Sequence, residues 1–317
     1  MTLSIIIPNY NGARLLEKNL PHVLAAVQAY NAEKTEIIIP EDPSTDDSVA
    51  VIAKFIKSLD GKKIIGKTIE NRNKKLAGFS HNVNRGVSLS TGEILVLLNS
   101  DVRPYKDFLT PLLEPFKDQN VFACGCLDET EENGKMMQRG RGIGRWHQGF
   151  LVHAAGCLDK QNTLWASGGS SAFRKSLWDK LHGLDTIYDP FYWEDIDLSY
   201  RALKSGYKIF FVPESRVRHA HDEGVVKSNF SSSYVKKIAY RNQCIFVWKD
   251  ITQTNLLLSN IFWLVYHSLK ALYRGDWPFF QGVGMALMQI HTILQKRARA
   301  KKLFIKSDNE VLANYNQ

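Results

Sequence analysis

Apolar and polar residues alternate in two patterns along the first hundred positions. Short apolar runs, typical of strands buried on both faces of a sheet, occur at residues 3–7, 37–39 and 94–98, with a mixed run at 64–69. Between these runs, apolar residues recur at helical spacing over residues 15–24, 49–56 and 78–87. Ser44 and Thr45 stand where they could cap the second of these helices. The alternation predicts βαβ units and an α/β fold with a mostly parallel central sheet.

The pattern is less regular after residue 101. Apolar spacing predicts helices over residues 108–116 and 194–205, and strands over residues 121–126, 165–174 and 207–212. Residues 128–150 are polar and rich in glycine. We expect this segment to be irregular and mobile above a functional site.

From residue 255 the chain carries amphipathic helices and then a basic cluster. One predicted helical face contains Leu258, Ile261, Phe262, Val265, Leu269 and Leu272, and a second stretch covers residues 280–294. The basic cluster is Lys296, Arg297, Arg299, Lys301, Lys302 and Lys306. The apolar run is too short to span a bilayer. Helices lying in the membrane interface are favoured, and packing on the rest of the protein is the alternative. The predicted division is therefore residues 1–250 and 251–317.

Composition changes this picture in two respects. The hydrophobic content of 44% over 317 residues indicates a substantial core, and the net charge of +9 indicates attraction to an acidic partner. Because much of the excess charge is clustered near residue 300, a docking surface at an anionic membrane is favoured over nucleic-acid binding. Four scattered cysteines and the absence of a signal-peptide pattern predict a cytoplasmic protein with reduced thiols.

The first candidate site lies where the strand at residues 94–98 ends. Asn99, Ser100 and Asp101 follow this strand directly. Ligands of open α/β sheets bind beyond the carboxyl ends of the strands, and oxygen donors there could hold a hard cation on a diphosphate. A simple Asn-Ser-Asp turn is the alternative.

A second candidate site is an acidic helix start behind aromatic residues. Glu194, Asp195 and Asp197 follow Phe191, Tyr192 and Trp193. Three clustered carboxylates repel one another, although a helix N-terminus favours one or two of them. A carboxylate beside an aromatic surface suits a general base that faces a sugar. Farther along, His219 and His221 are two residues apart, so that one of them could face the site and bind a metal.

These motifs, in this order, resemble family 2 glycosyltransferases, an inverting family with the GT-A fold. The similarity covers residues 1–250 and is greatest to bacterial enzymes that build O-antigen, capsule and other surface polysaccharides. The matching segments are residues 4–12, 44–46, 78–86, 97–101, 168–170, 193–197, 221–224 and 240–242.

The resemblance implies a role for each matching residue. Pro8 and Tyr10 would line the nucleotide, Glu41 or Asp42 would bind its base, and the remaining donor contacts would come from Asn82, Asn99 and Ser100. Asp101 and His221 would hold Mg²⁺ or Mn²⁺. Asp195 would be the general base, with Glu194 supporting it, while Trp193 and Gly169 would shape the acceptor site. The expected donor is a UDP- or dTDP-sugar carrying a hexose or deoxyhexose, and the expected acceptor is a saccharide or a lipid-linked molecule at the inner face of the cell membrane.

Two departures from the family pattern support a different interpretation. Pro40 and Glu41 replace part of the usual pair of aspartates, and Asn99 replaces the first aspartate of the metal motif. An inactive protein of the same fold, acting as a scaffold at the membrane, is therefore the alternative. A nicotinamide-dependent enzyme is excluded because no Gly-x-Gly-x-x-Gly motif follows a strand near the amino terminus.

Overall fold

The computed structural model describes residues 1–132, 134–219 and 230–316. Its strands are β1 Thr2–Ile6, β2 Lys34–Glu41, β3 Ile64–Glu70, β4 Ile94–Leu98, β5 Val102–Pro104, β6 Val121–Glu132, β7 Lys135–Arg139, β8 Gly142–His147, β9 Phe150–Ala155, β10 Ser170–Arg174 and β11 Lys208–His219. Its α-helices are α1 Ala13–Tyr30, α2 Ser48–Lys57, α3 Phe79–Ser88, α4 Leu109–Leu113, α5 Lys175–Lys180, α6 Glu194–Lys204, α7 Ser232–Asp250, α8 Thr254–Arg274, α9 Trp277–Met288, α10 Ile290–Lys301 and α11 Asp308–Ala313.

Strands of the described chain form one large sheet in the order β3-β2-β1-β4-β10-β6-β11-β5, with β7 paired to β6. The first four are mutually parallel, as the βαβ pattern predicts. The second half is mixed, because β10 runs antiparallel to both β4 and β6. Every residue of β4 is buried, which explains its uninterrupted apolar sequence. The predicted α/β fold is confirmed.

Three local predictions were wrong. The described part of residues 128–150 is not irregular: β6 continues to Glu132 and pairs with β7, and β8 pairs with β9. Glycines with positive φ, such as Gly149, allow the tight turns of these hairpins. Ser44 does not cap α2, because its hydroxyl donates to Glu41 and accepts from Asn11 N. Residues 165–169 precede β10 and are not part of it.

The C-terminal helices share the core of the sheet. One hydrophobic cluster contains Leu97 of β4, Phe246 of α7, Ile293 of α10 and Leu312 of α11. The predicted second helical stretch is two helices, α9 and α10, which separate at Gln289. Helices on both sides of residue 250 therefore stabilise the same core.

Buried ion pairs connect α6 to the C-terminal helices. Asp197 of α6 accepts hydrogen bonds from Arg201 and Lys249, and Lys249 also donates to Asp185 at 2.9 Å. Lys204, near the end of α6, donates to Asp308 of α11 at 2.6 Å, and both side chains are fully buried. These pairs hold the acidic helix start in one position, because a buried charge without its partner is strongly destabilising.

Candidate active site

A cleft of about 790 Å³ lies beyond the carboxyl ends of the parallel strands. Apart from Asp42, six residues that the resemblance assigns to the donor or its metal line this cleft: Pro8, Tyr10, Asn82, Asn99, Ser100 and Asp101. They come from the ends of β1 and β4 and from α3, and the parallel strands bring their ends to the same edge of the sheet.

The two acids at the carboxyl end of β2, Glu41 and Asp42, have different surroundings. Asp42 lines the cleft, and its carboxylate accepts hydrogen bonds from Gly78 N at 2.9 Å and from the Arg85 guanidinium. Glu41 is buried behind it and accepts from Asn9 Nδ2 at 2.6 Å and from Ser44. The structure thus places Asp42 at the cleft surface, with Arg85 beside it.

Burial without a cationic partner controls the ionisation of Glu41. Desolvation raises its pKa to about 7, and the nearby charges of Asp46 and Asp42 act in the same direction. The hydrogen bonds from Ser44 and Asn9 oppose this shift but do not cancel it. Glu41 is therefore partly protonated at neutral pH, which reduces the negative charge behind the cleft.

A close backbone approach fixes the turn after β4. Asn99 N donates to Gly169 O at 2.9 Å, and Asn19 Nδ2 donates to Ser100 O at 2.8 Å. A Cβ atom on residue 169 would lie 2.7 Å from Asn99 Nδ2, so a larger residue would displace the Asn99 side chain. Gly169 therefore supports the position of Asn99 and is not among the residues that line the cleft.

His219, at the end of β11, lies between two carboxylates. Its Nε2 is 3.2 Å from Asp101 Oδ1, and its Nδ1 is 2.7 Å from Asp128 Oδ2. Burial disfavours the charged imidazole, but the hydrogen bonds to Asp101 and Asp128 outweigh burial and raise the pKa of His219 to about 10. His221 lies outside the described residues. Within the described residues, His219 therefore lies against Asp101.

The donor atoms beside Asp101 fit a divalent cation carried on a diphosphate. Asp101 offers a carboxylate and Asn99 an amide oxygen, and His219, which also lines the cleft, could bind a cation only after losing the proton that its raised pKa retains. Within the described ranges, no three His, Cys, Asp or Glu side chains are arranged as a complete metal cage. Mg²⁺-type sites often have one or two protein carboxylates, with substrate phosphates and water completing the shell. The residues present therefore fit such a cation.

The helix start at α6 places two carboxylic acids in different environments. Asp195 accepts hydrogen bonds from Ile196 N at 2.8 Å and from Gly168 N at 3.4 Å, and it is partly exposed. Glu194 is buried, and among the described residues its Oε2 has no hydrogen-bond partner. Burial raises both pKa values, and that of Glu194 rises well above its usual range because the Asp195 charge adds to burial. Asp195 is thus the more readily ionised of the pair.

The aromatic residues before this helix are not equivalent. Trp193 is buried and packs against His153 and Phe246, so its indole does not form the exposed sugar-stacking surface that its sequence position suggests. Tyr192 is 43% exposed and lines the cleft. Both residues have left-handed backbone conformations, with φ values of 72° and 78°, which cost energy for a residue with a side chain.

Asn242 of α7 holds this strained turn. Its buried Nδ2 donates to the backbone carbonyls of Tyr188, Phe191 and Tyr192 at 2.8–2.9 Å. The neighbouring Arg241 also donates to the carbonyl of Tyr188, at 3.0 Å. The matching segment at 240–242 thus acts by positioning the loop that precedes Asp195.

Sequence reasoning missed several residues of the cleft. Lys74, Arg139, Phe230 and Tyr234 line it, although they lie far apart in the sequence. Arg139 is paired with Glu132 across the β6–β7 hairpin. Of these four residues, only Lys74 could have been expected from the sequence, because it lies in a polar, basic segment just before Gly78. The other residues reach the cleft through tertiary contacts that a single sequence does not reveal.

Comparison with known families agrees with this geometry. The model of glycosyl transferase family 2 matches residues 4–181, and that of glycosyl transferase family group 2 matches residues 94–293. The chain belongs to the family 2 glycosyltransferases and is an enzyme of that class, as the sequence motifs predict.

Two characterised bacterial proteins are similar over most of the chain. The O-antigen chain rhamnosyltransferase RfbN of Salmonella typhimurium is 23% identical over 70% of this chain and 67% of its own. The GalNAc(5)-diNAcBac-PP-undecaprenol beta-1,3-glucosyltransferase of Campylobacter jejuni is 25% identical over 75% of this chain and 82% of its own.

A solved structure shows the same fold. GalNAc-T7 with UDP, GalNAc and Mn²⁺ superposes with a TM-score of 0.61 at 19% identity, covering 78% of this chain and 48% of that one. At this level of identity the match establishes the GT-A fold.

Proposed function

We propose that this enzyme transfers a hexose or deoxyhexose from a UDP- or dTDP-sugar to a saccharide or lipid-linked acceptor in surface-polysaccharide synthesis, such as that of O-antigen. One observation carries the proposal. Asn99 N donates a hydrogen bond to Gly169 O, and the adjacent Gly168 N donates one to the Asp195 carboxylate. These two hydrogen bonds connect the turn that carries Asp101 to the candidate base. The similar enzymes from Salmonella and Campylobacter support the acceptor class.

On the donor side, we propose that Asp101 holds Mg²⁺ or Mn²⁺ together with His221, the second predicted ligand, and that His219 would join them only if the cation displaces its proton. Such a cation neutralises the charge that develops on a departing diphosphate. Pro8, Tyr10 and Asp42 would bind the nucleotide from the other end of the cleft. Lys74 would place a second positive charge beside the phosphates.

On the acceptor side, Asp195 would remove the proton from the attacking hydroxyl. Burial raises the pKa of Asp195, which brings it closer to neutrality and makes its carboxylate a stronger base. Burial and then the Asp195 charge raise the pKa of Glu194, which favours the protonated form that could donate a hydrogen bond to the acceptor. A single base predicts direct displacement with inversion at the anomeric carbon.

We further propose that residues 251–317 bring the enzyme to the cytoplasmic face of an anionic membrane, where a lipid-linked acceptor would be found. Within the described residues, no helix has the length and apolar character needed to cross a bilayer. Peripheral attachment is the arrangement that this finding and the net charge of +9 support.

The test is binding of UDP, dTDP and GDP in the presence and absence of Mn²⁺, measured by thermal shift and calorimetry. At least one nucleotide should raise the melting temperature, and Mn²⁺ should strengthen its binding. Asp101→Ala should abolish the Mn²⁺-dependent part, whereas Asp107→Ala, which removes an exposed carboxylate nearby, should not. Unchanged metal-dependent affinity in Asp101→Ala would show that the cation binds elsewhere.

A further inference from the structure

Helix α8 presents an apolar face to solvent. Among its exposed side chains, Phe262 is 71% exposed, Leu269 65% and Tyr273 92%. The complete outer face of α8 is Leu258, Ile261, Phe262, Val265, Tyr266, Leu269, Leu272 and Tyr273, and α9 adds exposed Trp277, Leu287 and Met288. So many large exposed side chains in adjacent helices indicate an interaction surface and not scattered surface hydrophobics.

Two polar residues in the middle of α8, Asn260 and His267, contact the turn between β8 and β9. Asn260 Nδ2 donates to Gly149 O at 2.8 Å, and His267 Nε2 lies 2.9 Å from Gln148 O. Trp248 Nε1 also donates to Asn260 Oδ1 at 3.0 Å. Helix α8 is thus apolar on its outer face as well as on its inner face, where Leu256 and Ala271 are buried, whereas a surface helix of a soluble protein has one apolar face, which packs inward. These polar contacts fix the helix so that its apolar face remains outward.

The charge of this region has one sign. Between Ile251 and Ser307 the sequence contains eight lysine and arginine residues and a single carboxylate, Asp276. That carboxylate is already bound by Lys236 and by Tyr240 OH. The net positive charge of this region disfavours the packing of two copies of the chain through it. Anionic lipid headgroups would instead complement the same charges.

We propose that this outer face lies in the headgroup region of an anionic bilayer, with α8 parallel to the membrane plane. The inference deepens the peripheral attachment proposed above and rests on it. Phe262, Tyr266, Tyr273 and Trp277 are aromatic residues of the type enriched at membrane interfaces. Insertion of their side chains is the main interaction, and the basic residues assist it.

The structure also reduces the number of charges available to lipid. Lys296 donates to Asp185 at 2.7 Å, and Arg297 donates to the carbonyls of Trp248 and Ile251. Both side chains therefore stabilise the fold. The exposed cations that remain are Arg274, Arg299, Lys301, Lys302 and Lys306, of which Arg299 contacts His182.

The test is co-flotation of the full chain with vesicles of phosphatidylethanolamine and phosphatidylglycerol, and with vesicles of phosphatidylcholine. A Phe262→Ser, Leu269→Ser double variant removes two outer-face side chains. The matched control, Val49→Ser with Ile65→Ser, removes two similarly apolar exposed side chains from α2 and β3. We expect the outer-face variant to bind anionic vesicles at least ~10-fold more weakly than wild type, and the control to bind like wild type. Added salt should weaken binding of the wild type without abolishing it.

Three results would overturn the proposal: no flotation of the wild type, equal flotation of wild type and outer-face variant, or a wild-type dimer in sedimentation that only the outer-face variant dissociates. The last result would assign the face to a second copy. Thermal unfolding and Mn²⁺-dependent nucleotide binding are measured on the same samples. If nucleotide binding persists while flotation fails, the membrane inference is wrong and the transferase proposal is unaffected.

Discussion

Neighbouring carboxylic acids acquire different properties at the start of α6. Asp195 is partly exposed and has backbone donors at Gly168 and Ile196, whereas the buried Glu194 has an oxygen without a partner among the described residues. Burial and the Asp195 charge both disfavour the ionised form of Glu194 and raise its pKa. Residue type alone does not distinguish these two acids, but their surroundings do.

At this scale we predict that Asp195→Asn lowers turnover by about 10² to 10⁴-fold, because a positioned base is removed while side-chain size is kept. Donor binding should remain close to normal. Glu194→Gln keeps a neutral hydrogen-bonding group, so its effect should be smaller and partly on acceptor KM. Steady-state kinetics and nucleotide calorimetry of both variants check this. Near-normal turnover of Asp195→Asn would assign the base to another residue.

Glu41 should make folding stability depend on pH. Its folded pKa of about 7 lies above that of an unfolded glutamate, so its contribution is greatest below about pH 4.5 and is lost as pH rises through 7. The loss is on the order of 3 kcal/mol. Glu41→Gln should therefore gain stability relative to wild type between pH 5 and pH 8, roughly the range in which the shift acts. Urea unfolding of both proteins across this range measures the difference, and parallel curves would contradict it.

At the scale of elements, Asp197, the third acid of the motif, stabilises the packing of α6. Asp197 is fully buried and bonded to Arg201, Lys249 and Tyr188 OH, so it is not available as a base. The repulsion expected among three adjacent acids is relieved because two buried cations reach Asp197 from α6 and α7. The pKa of Asp197 is accordingly lowered in spite of burial, by Arg201 and then Lys249.

Lys249→Met should destabilise the fold by about 3–5 kcal/mol, because Asp197 and Asp185 would lose a buried partner. Lys208→Met breaks the exposed Lys208–Asp118 pair and serves as the comparison, with a much smaller expected loss because water screens this pair. The midpoints of urea unfolding of the two variants check the difference. Similar midpoints would mean that the buried network contributes little.

At the scale of the whole molecule, the C-terminal helices are part of the folding unit. Ile293 and Leu312 lie in the same hydrophobic cluster as Leu97, and Lys204 depends on Asp308 for its buried charge partner. The outer face of α8 therefore belongs to the same folding unit as the cleft, and the C-terminal helices would serve both stability and the proposed docking.

A fragment ending at residue 250 should consequently be unstable, with a much lower melting temperature than the full chain or no cooperative unfolding. The physical reasons are the exposed core residues and the unpaired buried Lys204. Calorimetry and circular dichroism of the two chains test this. A fragment that melts cooperatively near the temperature of the full chain would show that residues 1–250 are an independent domain.

The sequence by itself determined the features that depend on local pattern. The apolar run of β4 and the strand–helix alternation specify the parallel half of the sheet. The candidate site at Asn99–Asp101 could be predicted because ligands of such sheets bind beyond the carboxyl ends of the strands. The ordered motifs were sufficient to identify the family.

The tertiary structure decided which residues of like chemistry reach the cleft. Asp42 lines it while Glu41 lies behind it, and His219 meets Asp101 and Asp128 because β11 and β6 are neighbouring strands. The outward direction of the apolar face of α8 also depends on distant partners, since Asn260 and His267 bond to the turn between β8 and β9. Amphipathic periodicity shows that a helix has an apolar face. Only contacts between distant segments determine whether that face packs against the protein or is exposed.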